Sequence, residues 1–260
     1  MKHLAKGIIK GRVKLSENYF SLELECLEIA RDARPGQFIM IECKGKAFLK
    51  RPMGLSSADP KNGVIEFIYQ VCGAGTRALH ERNLGETLEL IGPLGNSFWI
   101  EKNARVLGLV AGGTGIGPLL MLAKSLHETS PSVEIIGFIG GKNAGIVCGI
   151  NKMMECAREV RVTTDDGSVG AKGFVTDALI EFLKINTLDS IIACGPTPMM
   201  KKTAEVARER KIPCQVSLEE HMACGFGACM GCPFETNDGE YEMICSKGPI
   251  FDANKIKWKE

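Results

Sequence analysis

Four cysteines near the end of the chain follow the spacing Cys224-x4-Cys229-x2-Cys232-x12-Cys245. The segment that holds them is too short to bury a good core, so a metal centre is the simplest source of its order. The spacing is that of a plant-type [2Fe-2S] centre, in which soft thiolates surround two irons. Gly225, Gly227 and Gly231 let the backbone curl between the first three cysteines and bring N–H groups towards sulfur. Asn237-Asp238-Gly239 predicts a hairpin turn ahead of the fourth. Four thiols also suit a structural zinc ion, and unliganded cysteines are the third reading. The x4-x2 interval with its glycines favours iron and sulfide. His221, close by, reads as a supporting residue.

The other cysteines are scattered through a 260-residue chain. Met1-Lys2-His3-Leu4 leads into alternating residues, not into a signal-peptide core, and the expected compartment is the reducing cytoplasm. No apolar run approaches the ~18 residues of a spanning helix, so no transmembrane segment is expected. Lys plus Arg is 32 against 31 for Asp plus Glu. That balance gives no support to a nucleic-acid partner. Lys255, Lys257 and Lys259 read as a solvated tail.

Hydrophobic rhythm divides the chain into three. Residues 1–102 carry short alternating runs, among them Leu22-Glu23-Leu24-Glu25, Gln37–Ile41, Val64–Tyr69 after Asn62-Gly63, and Thr87–Leu90 before Gly92-Pro93. Such strands predict an antiparallel barrel or sandwich, with a helix near Thr76–Arg82. Residues 103–213 change to apolar runs at Val106–Val110, Val133–Ile139, Glu159–Thr163 and Ser190–Cys194, with helical spacing between them. This is the βαβ rhythm of a parallel-sheet α/β domain. Residues 214–260 form the small cysteine-bearing domain. The expected fold class is therefore multidomain α/β and β.

Glycine supplies 30 residues, and several mark nucleotide chemistry. Gly112-Gly113-Thr114-Gly115-Ile116-Gly117-Pro118 joins a predicted strand to a predicted helix, where free N–H groups can meet a phosphate. It lacks the Walker lysine, which weakens an ATPase reading. A purely structural tight turn is the alternative. Cys194-Gly195-Pro196 ends another parallel strand, where open α/β sheets bind ligands. Contact with a redox ring suits Cys194 better than a nucleophilic role; simple packing is the alternative. Asp165-Asp166 follows a strand and fits either the adenosine end of a dinucleotide or an exposed turn. Arg51 can neutralise a diphosphate through directional bonds, or form a surface ion pair. Gly73-Ala74-Gly75-Thr76 offers backbone donors and a hydroxyl, or plain turn geometry.

Taken together, these motifs resemble the electron-transfer subunits of two-subunit dihydroorotate dehydrogenases, within the wider ferredoxin–NAD(P) reductase family. The resemblance runs through nearly the whole chain. It is carried by Gly92-Pro93-Leu94-Gly95-Asn96, the Gly112–Pro118 loop, Thr164–Ser168, Cys194–Met200, Ser217–Cys232, Cys245 and Gly248-Pro249-Ile250-Phe251. It implies an FAD-binding barrel, an NAD-binding α/β domain and a [2Fe-2S] domain. By similarity, FAD contacts fall at Arg51, Pro52, Met53 and Gly54, at Ile68, Tyr69 and Gln70, and at Gly75 and Thr76. NAD candidates are Gly112, Gly113, Thr114, Gly115, Gly117, Cys194, Gly195 and Pro196. The cluster ligands carry over to Cys224, Cys229, Cys232 and Cys245. One departure stands out. The family's flavin segment looks like Arg-Pro-x-Ser, whereas this chain has Arg51-Pro52-Met53-Gly54. Ser56, Ser57 or a backbone N–H must then supply the missing donor.

The resemblance further implies an electron relay. A catalytic partner oxidises dihydroorotate at its own FMN, and electrons pass through the [2Fe-2S] centre and FAD to NAD+. The partner set is a heterotetramer with two copies of each subunit. No dihydroorotate-binding or catalytic acid–base residue is expected in this chain. Two other readings share the motifs: an NAD(P)H–ferredoxin or sulfide-linked reductase subunit, and a non-catalytic iron–sulfur scaffold. The absence of a basic cluster for a 2′-phosphate favours NAD over NADP.

Overall fold

The computed structural model describes residues 1–43 and 48–258; Lys259 lies outside the described residues. Six antiparallel strands close a barrel in the order β1-β2-β5-β4-β3-β6. They are β1 (His3–Lys14), β2 (Tyr19–Glu25), β3 (Phe38–Ile41), β4 (Arg51–Asp59), β5 (Val64–Gln70) and β6 (Thr87–Leu94). Their inward residues, Leu22, Leu24, Ile39, Ile41, Leu55, Phe67 and Leu90, fill one apolar core with almost no exposure. Two short helices attend the barrel, α1 (Leu27–Asp32) and α2 (Ala74–His80).

The alternating runs explain β2, β5 and β6. Strand β4 does not look like a strand, because it opens on Arg51-Pro52. It pairs with β3 from Arg51 onward but with β5 only from Leu55. Pro52 thus lies where a missing N–H costs no ladder bond.

A seven-stranded sheet follows, in the order β10-β9-β8-β7-β11-β12-β15. Its strands are β7 (Val106–Gly112), β8 (Glu134–Gly141), β9 (Glu159–Thr164), β10 (Ala171–Lys172), β11 (Ser190–Cys194), β12 (Cys214–Ser217) and β15 (Ile250–Asp252). All neighbours are parallel except the edge pair of β12 and β15. Helices α3 (Ile116–Thr129) and α4 (Ile150–Met154) pack on one face. Helices α5 (Val175–Phe182) and α6 (Thr197–Glu209) pack on the other. Both faces are covered, so β7 and β11 read as continuous apolar runs. The order reverses between β7 and β11, and the loops leaving their carboxyl ends sit side by side. Ligands of open α/β sheets bind at such a point.

The cysteine segment is built onto this sheet. Strand β12 leads into it and β15 returns from it to the sheet edge. Between them lie the hairpin β13 (Pro233–Glu235) and β14 (Tyr241–Met243) and the turn of helix α7 (Ile244–Lys247). Gly239, at φ +85°, closes the expected hairpin turn. One apolar core joins Phe38, Met40 and Leu94 of the barrel to Phe138 and Val216 of the sheet and to Cys232 and Cys245. Among the described residues, no helix is long and apolar enough to cross a membrane.

Candidate functional site

Three groups of sequence-marked residues converge where barrel, sheet and cysteine segment meet. The first lies on the outer wall of the barrel. In β4, Met53 and Leu55 point into the barrel core, while Gly54 pairs with Phe38 and Pro52 with Met40 of β3. Arg51 reaches across to the start of α2. A Cβ built on Gly75 would stand 2.7 Å from Arg51 Nε, so only glycine lets the guanidinium lie against that turn. Arg51 Nη1 donates to Leu49 O at 2.7 Å, which leaves other guanidinium N–H groups for a ligand. Thr76 Oγ1 accepts from the N–H groups of Cys72 and Gly73 at 3.1 and 3.2 Å, fixing the same turn.

The residues of β5 divide by face. Ile68 points outward into the core shared with the sheet. Tyr69 points inward, and its hydroxyl lies 3.1 Å from His80 Nδ1. Tyr69 therefore offers the outer wall only its backbone. Ser56 is buried with no hydrogen-bond partner for Oγ. Its Cβ lies 3.4 Å from where a Cβ on Gly117 would stand. That hydroxyl is covered by protein at the junction of the two domains and does not face an open ligand site. The guanidinium of Arg51 against Gly75, with the turn that Thr76 fixes, offers the donors that the diphosphate of a flavin dinucleotide needs.

The second group is the pair of glycine loops at the carboxyl ends of β7 and β11. They interlock. A Cβ on Gly115 would stand 2.2 Å from the Cys194 carbonyl oxygen. One on Gly195, whose φ is +154°, would stand 2.9 Å from Gly112 N. One on Gly112 would meet Pro196 Cδ at 2.8 Å and Met199 Sδ at 2.9 Å. The two motifs, 80 positions apart in register terms of Gly115 and Gly195, thus make one surface. Gly113 (φ +57°) and Thr114 form a single 3-10 turn that exposes its backbone ahead of α3. Asp166 is committed to its own turn, accepting from Ser168 N at 2.9 Å and Ser168 Oγ at 2.6 Å.

Cys194 is buried in this surface. Burial, then the nearby Glu219 carboxylate, pushes its thiol up to about 12, against a lowering contact from Ser217. It is a neutral thiol near pH 7 and no nucleophile. Glu219 was given no role by motif reading. It is an exposed residue, yet the protein packed round its carboxyl raises it above the usual range. Its place two residues beyond β12 was the available signal.

The third group is the cysteine segment. Gly225 (φ +79°), Gly227 (φ +93°) and Met230 (φ +56°) curl residues 224–232 into a loop. Cys229 N–H donates to Cys224 Sγ at 3.5 Å, and Cys245 N–H donates to Cys232 Sγ at 3.4 Å. The thiols come two by two. Among the described residues, no three His, Cys, Asp or Glu side chains converge on one ion position. Partial burial works against the Cys224 thiolate, but backbone N–H groups of Phe226, Cys229 and Ala228 outweigh it and bring the thiol to about 6. Burial, then Cys232, pushes Cys245 up to about 12, with Gly227 N–H opposing. Cys229 is exposed, whereas Cys232 and Cys245 are buried. Two thiol pairs with N–H groups aimed at sulfur fit a dinuclear cluster. His221 is exposed and takes no part in this arrangement.

A family model described as "Iron-sulfur cluster binding domain of dihydroorotate dehydrogenase B" matches residues 219–257, which include all four cysteines. Another, "Oxidoreductase NAD-binding domain", matches residues 109–205. A dihydroorotate dehydrogenase B (NAD(+)) electron transfer subunit from Caldanaerobacter subterraneus subsp. tengcongensis is 40% identical over 225 residues, covering 85% of this chain and 86% of the relative. The chain belongs to this family of electron-transfer subunits. The corresponding subunit from Clostridium perfringens is 36% identical over 253 residues, covering 97% of this chain and 98% of that one. Family membership accounts for the way barrel, sheet and cysteine segment share one junction.

Among solved structures, that of an NADH-dependent reduced ferredoxin-NADP oxidoreductase superimposes with a TM-score of 0.88 at 32% identity, covering 97% of this chain and 90% of that one. A ferredoxin reductase of carbazole 1,9a-dioxygenase, 22% identical with a TM-score of 0.70 and covering 82% of this chain and 67% of that one, shares the fold.

Proposed function

We propose that this chain is the electron relay of a dihydroorotate dehydrogenase, taking electrons from an FMN-containing catalytic subunit and delivering them to NAD+. The observation that carries the reading is the junction itself. The cysteine loop packs through Gly225 against Met40 of β3 and Leu94 of β6, β3 pairs with the strand that bears Arg51 and Gly54, and Gly117 of the nucleotide loop lies against Ser56 of that strand. In this reading Cys224 and Cys229 hold one iron, and Cys232 and Cys245 the other. Arg51, Gly75 and Thr76 meet the diphosphate of FAD, with Pro52, Met53, Gly54, Ile68, Gln70 and the Tyr69 backbone along the rest of it. Gly112, Gly113, Thr114, Gly115, Gly117, Gly195, Pro196 and the buried Cys194 shape the NAD pocket.

When bound, the cluster supplies one-electron and FAD two-electron chemistry, and the protein fixes their distance and access. The overall exchange balances: dihydroorotate gives up two electrons and two protons to become orotate, NAD+ takes a hydride, and one proton is released. The chain's residues hold and orient; none is assigned as an acid or base. The x4-x2 spacing of Cys224, Cys229 and Cys232 with its glycines favours a dinuclear centre over a structural zinc. A heterotetramer with two copies of each subunit, in the cytoplasm, completes the reading.

The likeness to the ferredoxin-NADP oxidoreductase structure favours a second reading, in which the partner is a ferredoxin-linked subunit. One experiment separates the two. The chain is purified anaerobically with its partner, and absorption is followed as dihydroorotate and then NAD+ are added. Bleaching by dihydroorotate that NAD+ reverses is the expected result. Bleaching by NADH but never by dihydroorotate overturns the pyrimidine reading and leaves the second.

A further inference from the structure

Met40 lies where the cysteine loop touches the barrel. It is on β3, fully buried. Its strand neighbours Ile39 and Ile41 point into the barrel core, whereas Met40 points out, into the core that holds Cys232 and Cys245. On one side its backbone pairs with Pro52 of β4. On the other its side chain lies against Gly225, the residue after Cys224. A Cβ on Gly225 would stand 2.4 Å from Met40 Cγ and 2.9 Å from Met40 Sδ, with Leu94 Cδ1 at 3.2 Å. Gly225 also sits at φ +79°, so the loop can reach this contact only with glycine there. A flexible, polarizable thioether fills the irregular gap that remains.

We propose that Met40 is a positioning residue for electron transfer: its side chain seats the Cys224 loop against strand β3, the neighbour of β4, and so sets the separation and coupling of cluster and flavin. The inference rests on the cofactor sites of the preceding section. The step it governs is the passage of one electron between flavin and cluster, in which no bond forms or breaks. Hydride exchange between NAD and flavin takes place at the sheet side and does not involve Met40.

The test uses the full chain loaded with FAD and cluster, as wild type, Met40→Ala and Met40→Leu. NADH is mixed in rapidly, with ferricyanide present as the terminal one-electron acceptor. Flavin reduction and cluster reduction are followed separately, and the reduced cluster is examined by electron paramagnetic resonance. In Met40→Ala, flavin reduction by NADH keeps its wild-type rate, the cluster's line shape shifts, and electron passage to the cluster slows several-fold. Met40→Leu conserves volume and restores most of the rate. Where the alanine variant does not fold, Met40→Val is read by the same criteria. Unchanged line shape and passage rate overturn the inference, and so does an equal slowing of both steps. A wild-type chain that carries no flavin or no cluster fails the preceding reading instead, a result visible in its absorption spectrum before any variant is made.

Discussion

Pro118 presses directly on Gly54: a Cβ at position 54 would stand 2.9 Å from Pro118 Cγ. Gly54 is the position that the resemblance marks as a departure from an Arg-Pro-x-Ser segment. The contact gives a physical reason for the departure. Pro118 opens the helix after the nucleotide loop, and it docks that helix onto β4 only because position 54 has no side chain.

Gly54→Ser therefore restores the family residue and damages this protein. The proline ring is no flexible side-chain end, so the helix must shift. Overpacking of this kind costs about 1–3 kcal/mol. Denaturant unfolding should show the loss, and Gly54→Ser combined with Pro118→Ala should recover most of it. Full stability in the single variant would show that the domains adjust freely at this contact.

Gly75→Ala acts in the opposite manner. Its Cβ would meet Arg51 Nε at 2.7 Å, but an arginine side chain can swing away. Folding stability should hardly change, while FAD loses a charge-assisted partner worth about 1.5–3 kcal/mol. Flavin fluorescence titration should show weaker binding by roughly tenfold or more, since ~1.4 kcal/mol is a factor of ten. Equal affinity in wild type and variant would remove Arg51 from the diphosphate site.

Two other glycines form a matched pair of opposite prediction. A Cβ on Gly115 would stand 2.2 Å from Cys194 O and 2.7 Å from Gly195 N, both backbone atoms. Strand β11 cannot yield there, because Cys194 is in register with Ala111 of β7. Gly115→Ala should cost about 3 kcal/mol or more, at the upper end of overpacking. At Gly73 a Cβ meets nothing within 4 Å. Gly73→Ala meets no clash and should cost only about 1 kcal/mol, the loss of a glycine at the N-cap of α2. Thermal melting of the two variants side by side checks both.

This contrast shows what sequence can carry. Strands β7 and β11 were legible because a sheet covered on both faces demands apolar runs, and Ser190–Cys194 agrees with its strand end to end. The cysteine spacing was legible because ligand intervals are a local property. Strand β4 was hidden by Pro52, whose tolerance depends on the distant start of β5 pairing. Helix α1 was hidden because six residues are too few to display a helical period. The glycine loops were each visible, but their interlocking was not, since it depends on β7 and β11 being neighbours. For the same reason nothing local marked Met40: the residues that give it meaning come from other elements.

Acid should weaken the barrel through Glu86. Its carboxylate accepts from Arg82 Nη1 at 2.8 Å and from Asn83 N at 3.0 Å, tying the end of α2 to β6. Arg82, then the Asn83 N–H and side chain, hold its pKa at about 2 against an ordinary 4.5. A depressed folded pKa means that the ionised group stabilises the fold fully above pH 4.5, and that this share disappears as pH falls towards 2. Glu86→Gln lacks the share. The stability gap between wild type and variant should be constant near neutrality and close across that acid window. A gap that persists unchanged at the acid end would assign the loss to packing and not to charge.

Removing the cluster should expose a reactivity order set by the same loop. In the metal-free chain Cys224, at about 6, is largely thiolate at neutral pH, and Cys229 is exposed. Cys194 and Cys214 are buried and pushed up to about 12. Thiolate character and access together set the rate of alkylation. Brief iodoacetamide treatment followed by peptide mass spectrometry should therefore label Cys224 and Cys229 first and leave Cys194 and Cys214 for last. Loading the cluster beforehand should protect the loop cysteines and leave the exposed Cys72 as the internal reference for reagent strength. Protection of Cys224, Cys229, Cys232 and Cys245 as a set would tie all four to one centre. Protection of only one pair would break the four-ligand assignment and restrict the metal to that pair.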